Sequence, residues 1–242
     1  MNSSMFNKSN ATSSIGENIY HYLRKGIIEL KLKPGDSLSA KNIAEQLEVS
    51  RSPVRDSIIK LGKEGLVDIV AQSGTTVSKI DLDRVAEEQF IRFSLEEKVM
   101  MLFIEKSSSR EISKLEELME MQKANLEKKE YNTFLNYDDE FHSVFFETAN
   151  KQMSWELIVS MSGHYRRLRL ITLWDLEIAE DVMKQHYDLL KFIKEKNIDM
   201  ARKTVQEHTM RIFAQKDFMV KKYPTFFKEK NDEIDLFNNF KR

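Results

Sequence analysis

From Asp81 to about Lys222 the apolar residues recur three and four apart, and the breaks between repeats are short and polar. This stretch constrains the fold more than any other. Six segments, roughly 81–106, 108–130, 131–149, 152–173, 175–195 and 197–222, are separated by breaks such as Ser107-Ser108-Ser109, Asn150-Lys151 and Lys196-Asn197. Long helices joined by short connections become antiparallel neighbours in a bundle. No segment alternates with the period of two that a half-buried strand needs. Seven Gly, three Pro and 32% charged residues in 242 also favour helices over sheet.

The residues before Asp81 follow a different rhythm. Residues 1–12 are rich in Ser and Asn and offer little to bury, so they read as a disordered arm. A helix follows from Ser13 to Leu32, with Ile15, Ile19, Leu23, Ile27 and Leu30 as its stripe, and Lys33-Pro34-Gly35-Asp36 ends it. A second helix runs from Ser39 to Leu47 with Ile43, Ala44 and Leu47 facing in. Glu48-Val49 turns the chain into a third, capped by Ser50 and carrying Pro53 in its first turn. Val54, Ile58 and Leu61 give that helix an inner stripe, while Arg51 and Arg55, four apart, share another face. Forked guanidiniums there suit guanine edges or phosphates, or are simply solvated. Leu66–Val70 and Thr75–Ile80 then read as a hairpin around Ala71-Gln72-Ser73-Gly74. Two short helices, a tight turn and a hairpin make a winged helix-turn-helix. The stretch through Ile80 has a small basic excess and the remainder a small acidic one, which places any nucleic-acid contact in the first part.

Composition excludes several classes. With no cysteine there is no disulfide, thiolate ligand or Cys nucleophile, which fits a reducing cytoplasm. No apolar run approaches the roughly 18–20 residues of a membrane span, and the N-terminus lacks a signal-peptide layout.

Polar residues on apolar faces mark a candidate site. Asp138 and His142 lie at i and i+4 on the stripe of Phe134, Phe141 and Phe145. His186 shares a face with Val182, Leu189 and Ile193, and His208 shares one with Ala201, Val205 and Ile212. A lone inward histidine is usually a satisfied core residue. Three, joined by a carboxylate, favour a divalent transition metal, Zn²⁺ first, with Ni²⁺, Mn²⁺ or Fe²⁺ also suited to this donor set. His164, on the stripe of Leu157, Met161 and Leu168, is a candidate ligand-contact residue or a support behind one, and at least two of Arg166, Arg167 and Arg169 read as solvated. After Tyr223-Pro224, residues Phe226, Phe227, Leu236, Phe237 and Phe240 form an aromatic tail expected to pack on the helical domain or on a partner subunit.

Two resemblances cover roughly residues 13–222. Pro34-Gly35, Leu38-Ser39, Ile43-Ala44-Glu45, Val49-Ser50-Arg51-Ser52-Pro53-Val54-Arg55, Glu64-Gly65-Leu66-Val67, Gly74 and Val77 resemble the winged helix-turn-helix of the GntR family of bacterial transcription regulators. The chain departs from that pattern at Glu48, where the family usually has Gly; a positive φ there would cost about 1 kcal/mol. It also places Gly62 inside the third helix, at about 1 kcal/mol relative to Ala. The resemblance implies DNA contacts at Lys41, Arg51, Ser52, Arg55 and the Gly74 wing tip. Asp138-Asp139-Glu140-Phe141-His142, Ala149-Asn150, His186 and His208 resemble the FCD effector domain of the FadR branch, and six helices resemble its VanR-type subgroup. That resemblance implies a metal on Asp138, His142, His186 and His208, a small organic acid beside it, and Arg92 as a carboxylate grip.

The expected architecture is therefore mainly α. A disordered arm (1–12) precedes a winged helix-turn-helix of three helices plus a β-hairpin (13–80), then an all-α antiparallel bundle (81–222) and the aromatic tail (223–242). The expected function is a cytoplasmic, effector-responsive transcription regulator, a repressor, binding double-stranded palindromic operator DNA as a homodimer and responding to a small organic acid at its metal. Two alternatives remain at this point: a sensor in which the ion is the signal, and a metal-dependent enzyme, against which no separate general base stands out.

Overall fold

The computed structural model describes residues 14–70 and 74–229. The N-terminal arm, the Ala71–Ser73 part of the hairpin turn, and Leu236, Phe237 and Phe240 lie outside them. The first five elements are α1 (Ile15–Ile28), α2 (Ala40–Leu47), α3 (Arg51–Lys63), β1 (Val67–Val70) and β2 (Gly74–Val77). Ser14 and Ser39 cap α1 and α2, their hydroxyls accepting from the N–H of Glu17 and of Asn42. Ser50 holds the N-cap position of α3 but its hydroxyl makes no capping bond, contrary to expectation. Glu48 has φ 54°, so the cost anticipated for a non-glycine at this turn is real. Helix α1 stops four residues earlier than its periodicity suggests. Leu30 turns to φ 56° and buries its side chain in the helical bundle rather than in the winged-helix core. Here tertiary burial outweighs local helix propensity.

Ile19, Leu23 and Ile27 of α1 pack on Val54, Ile58 and Leu61 of α3, with Leu66 and Val77 of the wing closing the core. The wing is antiparallel, Val67 opposite Val77 and Val70 opposite Gly74. Gly62 abuts it: a Cβ there would lie 3.2 Å from Ile69 Cδ1.

The bundle consists of α4 (Leu82–Lys106), α5 (Ser109–Glu127), α6 (Tyr131–Thr148), α7 (Gln152–Met161), α8 (Gly163–Thr172), α9 (Leu176–Lys194) and α10 (Ile198–Lys222). Among the described residues it thus has seven helices, not the six that suggested the VanR-type subgroup. The expected fourth helix breaks at Ser162, and α8 starts at Gly163 pressed against Leu66 of the winged head. A Cβ on Gly163 would fall 2.6 Å from Leu66 Cδ2, so any larger residue there must displace the Leu66 side chain. Two apolar clusters fill the bundle, one around Phe103, Phe141 and Phe145 and the other around Phe134, Leu168 and Ile171.

Where β2 leads into α4 the C-terminal segment returns. After a 3-10 turn at Pro224–Phe226, the Phe226 carbonyl accepts from Ile80 N–H at 2.8 Å, and Lys228 N–H donates to Ile80 at 2.9 Å. Ile80 and Phe227 are both buried. The described part of the aromatic tail therefore packs on the joint between wing and bundle.

Candidate functional site

Helix α6 contributes Asp138 and His142, α9 His186 and α10 His208, and one donor atom from each lies within 4.8 Å of the others. The outer nitrogen of every imidazole is held. His142 Nδ1 contacts the Glu96 carboxylate of α4, His186 Nδ1 meets the Gln122 amide oxygen of α5 at 2.7 Å, and His208 Nδ1 meets that of Gln185 at 3.1 Å. Gln122 donates its own Nε2 to the Tyr137 carbonyl, which turns its oxygen toward His186. An acceptor at Nδ1 places the proton there and leaves Nε2 as a lone pair facing the cluster centre. Nε2 of His142 and of His186 are buried without a hydrogen-bond partner; they lie 3.8 and 3.5 Å from Asp138 oxygens.

Electrostatics set the protonation states that metal ligation needs. Burial pushes His186 down to about 3 and His208 well below the usual imidazole range. Burial alone would raise Asp138, but the Arg169 guanidinium beside it holds its carboxyl well below the usual range. Glu96 is likewise held down by His142 and Arg92 against its burial. Lone-pair imidazoles, an ionised carboxylate and two orphaned nitrogens fit a divalent transition ion, and they fit an all-apolar core poorly.

The cations around the cluster are not solvated, contrary to expectation. Arg166 and Arg167 are buried. Arg169 bonds both Asp138 and Asp139; Arg166 bonds Asp139 and, at 2.8 Å, Asn136. Arg92 is 2% exposed, donates Nε to Glu96 at 2.9 Å, and has an Nη2 without a partner. It lines a cavity of about 360 Å³ between α1 and the bundle, along with Arg166, Arg169 and Trp155.

His164 does not line this cavity. It sits at the head–bundle junction, where Nδ1 accepts from Asp81 N–H at 3.0 Å and Nε2 donates to the Gly65 carbonyl at 3.0 Å. Burial holds its pKa down at about 3. Beside it, buried Arg167 donates to the Ser78 carbonyl at 2.6 Å. Glu88 accepts the N–H groups of His164 and Tyr165. Helix α8 thus presents Arg166 and Arg169 toward the cluster and cavity, and His164 and Arg167 toward the winged head.

On the head, Arg51, Ser52 and Arg55 are exposed on α3, opposite its buried stripe of Val54, Ile58 and Leu61. Lys41 is exposed on α2 with Glu45 4.0 Å away. Gly74, at φ 104°, is exposed beside the wing turn, and a Cβ there would meet nothing within 4 Å.

Sequence reasoning missed Glu96, Gln122, Gln185, Asp139, Arg166 and Arg169 as parts of the site. Two left a signal. Gln122 continues the stripe of Leu115, Leu118 and Met119, and Glu96 lies one turn after Arg92 on the inner face of α4. Gln185 is only half buried and left none.

Comparison with known proteins finds a match for each of the two domains. The gntR family of bacterial regulatory proteins matches residues 15–77, and the FCD domain matches residues 89–211. The HTH-type transcriptional repressor RspR of Escherichia coli K12 is 29% identical over 203 residues, 84% of this chain and 89% of RspR. The gluconate operon transcriptional repressor of Bacillus licheniformis is 24% identical over 81% of this chain and 82% of its own length. Among solved structures, E. coli McbR/YncC superposes with a TM-score of 0.69 at 23% identity, covering 88% of this chain and all of that one. A GntR transcriptional regulator from Rhodococcus sp. RHA1 gives 0.72 at 18% identity over 87% of this chain and all of its own. At these identities the structures speak for the fold alone. The two domain matches, one on the winged helix and one on the helical bundle, show that the chain belongs to the GntR family in its FadR-like, FCD-bearing branch and is a DNA-binding transcription regulator, not an enzyme.

Proposed function

We propose that this regulator is a repressor that binds a palindromic operator as a homodimer, with a divalent metal on Asp138, His142, His186 and His208 and a small organic acid as its signal. The observation that carries the metal is the pair of buried, unpartnered Nε2 atoms on His142 and His186. Each belongs to an imidazole whose other nitrogen is already fixed, so an incoming cation would meet preset lone pairs. When bound, the ion supplies positive charge and open coordination positions for a carboxylate. Zn²⁺ is the first choice, with Ni²⁺, Mn²⁺ and Fe²⁺ compatible. Arg92 is assigned the grip on the effector's carboxylate, since its free Nη2 can complete a bidentate pair.

Residues 13–80 are assigned to DNA reading and 81–222 to sensing and dimerisation, acting in the cytoplasm. Arg51 and Arg55 read base edges or phosphates, with Ser52, Lys41 and the Gly74 tip beside them. The repressor reading draws on RspR and the gluconate operon protein, both named repressors. The homodimer draws on exposed Phe90 of α4 and exposed Met210 and Phe218 of the adjoining α10, apolar surface that self-association would cover.

Operator binding titrated first with metal alone and then with carboxylic acids, alongside elemental analysis, tests the proposal. The expected result is a retained stoichiometric ion and an operator response to an acid. A response to metal swings with none to acids would establish the alternative, in which the ion is the signal. The burial of the cluster and its pinned imidazoles favour a resident ion over an exchanging one.

A further inference from the structure

We infer that Glu88, a buried carboxyl of α4 outside the metal cluster, is a proton-sensitive latch that sets how firmly the winged head docks on the bundle. Three side chains of the bundle reach the backbone of the head. Arg84 donates to the Glu64 carbonyl at 3.0 Å, His164 to the Gly65 carbonyl at 3.0 Å, and Arg167 to the Ser78 carbonyl at 2.6 Å. Glu64 and Gly65 follow directly on α3, and Ser78 on β2, so the grip falls on the exits of the helix and of the wing. Polar joints of this kind between domains can part and re-form.

Glu88 stands behind all three contacts. Its Oε2 accepts the N–H groups of His164 and Tyr165 at 2.9 and 2.7 Å, at the N-terminus of α8, where an anion is favoured. This fixes the helix that carries His164 and Arg167. Its Oε1 is buried without a hydrogen-bond partner, and Arg84 Nη2 lies 3.9 Å from it. The head roofs this group. Gly163, the residue before His164, lies against Leu66, and a Cβ on Gly65 would fall 2.8 Å from Arg84 Nη1. Withdrawal of the head therefore opens the start of α8 and Arg84 to water, and Glu88 with them.

On its own helix the charged neighbour of Glu88 is Arg84; from α8, His164 and Arg167 face it. On the head, Glu64 turns its carboxylate to Tyr20 and Arg24, and Asp68 of β1 acts on Arg167. At the joint the Asp81 carboxylate pairs with Lys228 at 2.9 Å. Burial holds His164 down at about 3, so it stays neutral near neutral pH. Burial pushes the Glu88 carboxyl up to about 7, although the N–H groups of α8, Arg84 and Arg167 pull the other way. Uncovered to water, the carboxyl returns toward the ordinary 4.5. The docked pose therefore binds the proton more tightly than an open one. The resulting advantage of docking is complete below about pH 4.5 and is lost as pH rises through about 7. Between pH 6 and pH 8 the docking equilibrium should weaken about tenfold.

The chain has no cysteine, so Ser78→Cys, at a buried position under Arg167, makes the full-length protein report head opening through its rate of thiol labelling. Rates divided by those of the unfolded chain at each pH give the opening constant, which should rise about tenfold from pH 6 to pH 8 and level off above about 7. Ala149→Cys, in the bundle core, reports global unfolding and should label far more slowly. In the Ser78→Cys background, Glu88→Gln is neutral at every pH and should give a flat profile. Arg84→Gln, at a half-exposed position, removes a cation that lowers the Glu88 pKa and should move the bend in the profile to higher pH. All five histidines remain in both variants, so none of them accounts for a difference from the parent. An opening constant equal at pH 6 and pH 8 overturns the inference. So does a parent-like profile in Glu88→Gln, a bend that Arg84→Gln leaves in place, or labelling at Ala149→Cys as fast as at Ser78→Cys.

Discussion

The winged head and the helical bundle place their candidate functional residues in opposite environments. On the head, Arg51 and Arg55 stand in water, and among the described residues no ion pair holds either of them. In the bundle, Asp138, His142, His186, Glu96 and Arg92 are all at most 2% exposed, and each is tied to at least one other polar group. The head's core of Ile19, Leu23, Val54, Ile58 and Leu61 owes nothing to the arginines it displays. The bundle has no such separation, because its polar cluster lies inside the packing and is part of what that packing must accommodate. An exposed cation can be lost with the fold intact, whereas a buried polar cluster couples loss of a side chain to loss of stability.

That contrast can be broken at several points. The largest effect is expected at the cluster: His186→Ala should reduce bound metal from one ion per chain to about a tenth or less by elemental analysis. Full occupancy in the variant would remove the metal site. Next, Glu96→Leu leaves buried Arg92 with only Asp139, 4.0 Å away, as a carboxylate partner and should cost about 3–5 kcal/mol in denaturant unfolding. A loss below about 1 kcal/mol would show that the bundle's polar residues are not tied to its fold, and the comparison would fail. Gln122→Leu releases the His186 ring and should weaken metal affinity about 10–100-fold while the ion still binds at saturation. On the head, Arg55→Ala should weaken specific operator binding by about 1–3 kcal/mol and leave the melting temperature in place; an unchanged footprint would remove it from the base contacts. The smallest effect is expected at Glu48→Gly, which relieves the φ 54° backbone and should raise stability by up to about 1 kcal/mol without touching DNA affinity.

What was legible in the sequence divides along the same line. The helical bundle and the winged helix could be read because their surfaces are amphipathic, and the period of three and four survives wherever one face meets water. Asp138, His142, His186 and His208 could be picked out because each occupies an apolar stripe, and the structure brings all four together. The arginines of α8 could not. Nine of its ten residues are buried, so it has no solvent face to give a period, and Arg166-Arg167-Leu168-Arg169 reads as exposed when it is enclosed. The same enclosure hid the break at Ser162 and the place of His164 at the junction with the head. The early end of α1 was invisible for another reason. Leu30 continues the stripe of α1 in sequence but finds its burial in the bundle, and local pattern carries no record of which core a residue joins.

The break at Ser162 gives α8 an axis of its own. Ten residues make a rod about 15 Å long, stiffened by its internal hydrogen bonds. A tilt of about 4° moves one end of such a rod by about 1 Å, more than the roughly 0.5 Å over which a hydrogen bond keeps its strength. The rod holds Asp138 and Asp139 on one flank and the Gly65 and Ser78 carbonyls on the other. No small adjustment serves one flank alone: a displacement that loosens the grip on the carboxylates also changes the reach to the winged head. The carboxylates of the cluster and the carbonyls of the winged head are therefore linked mechanically through one short helix.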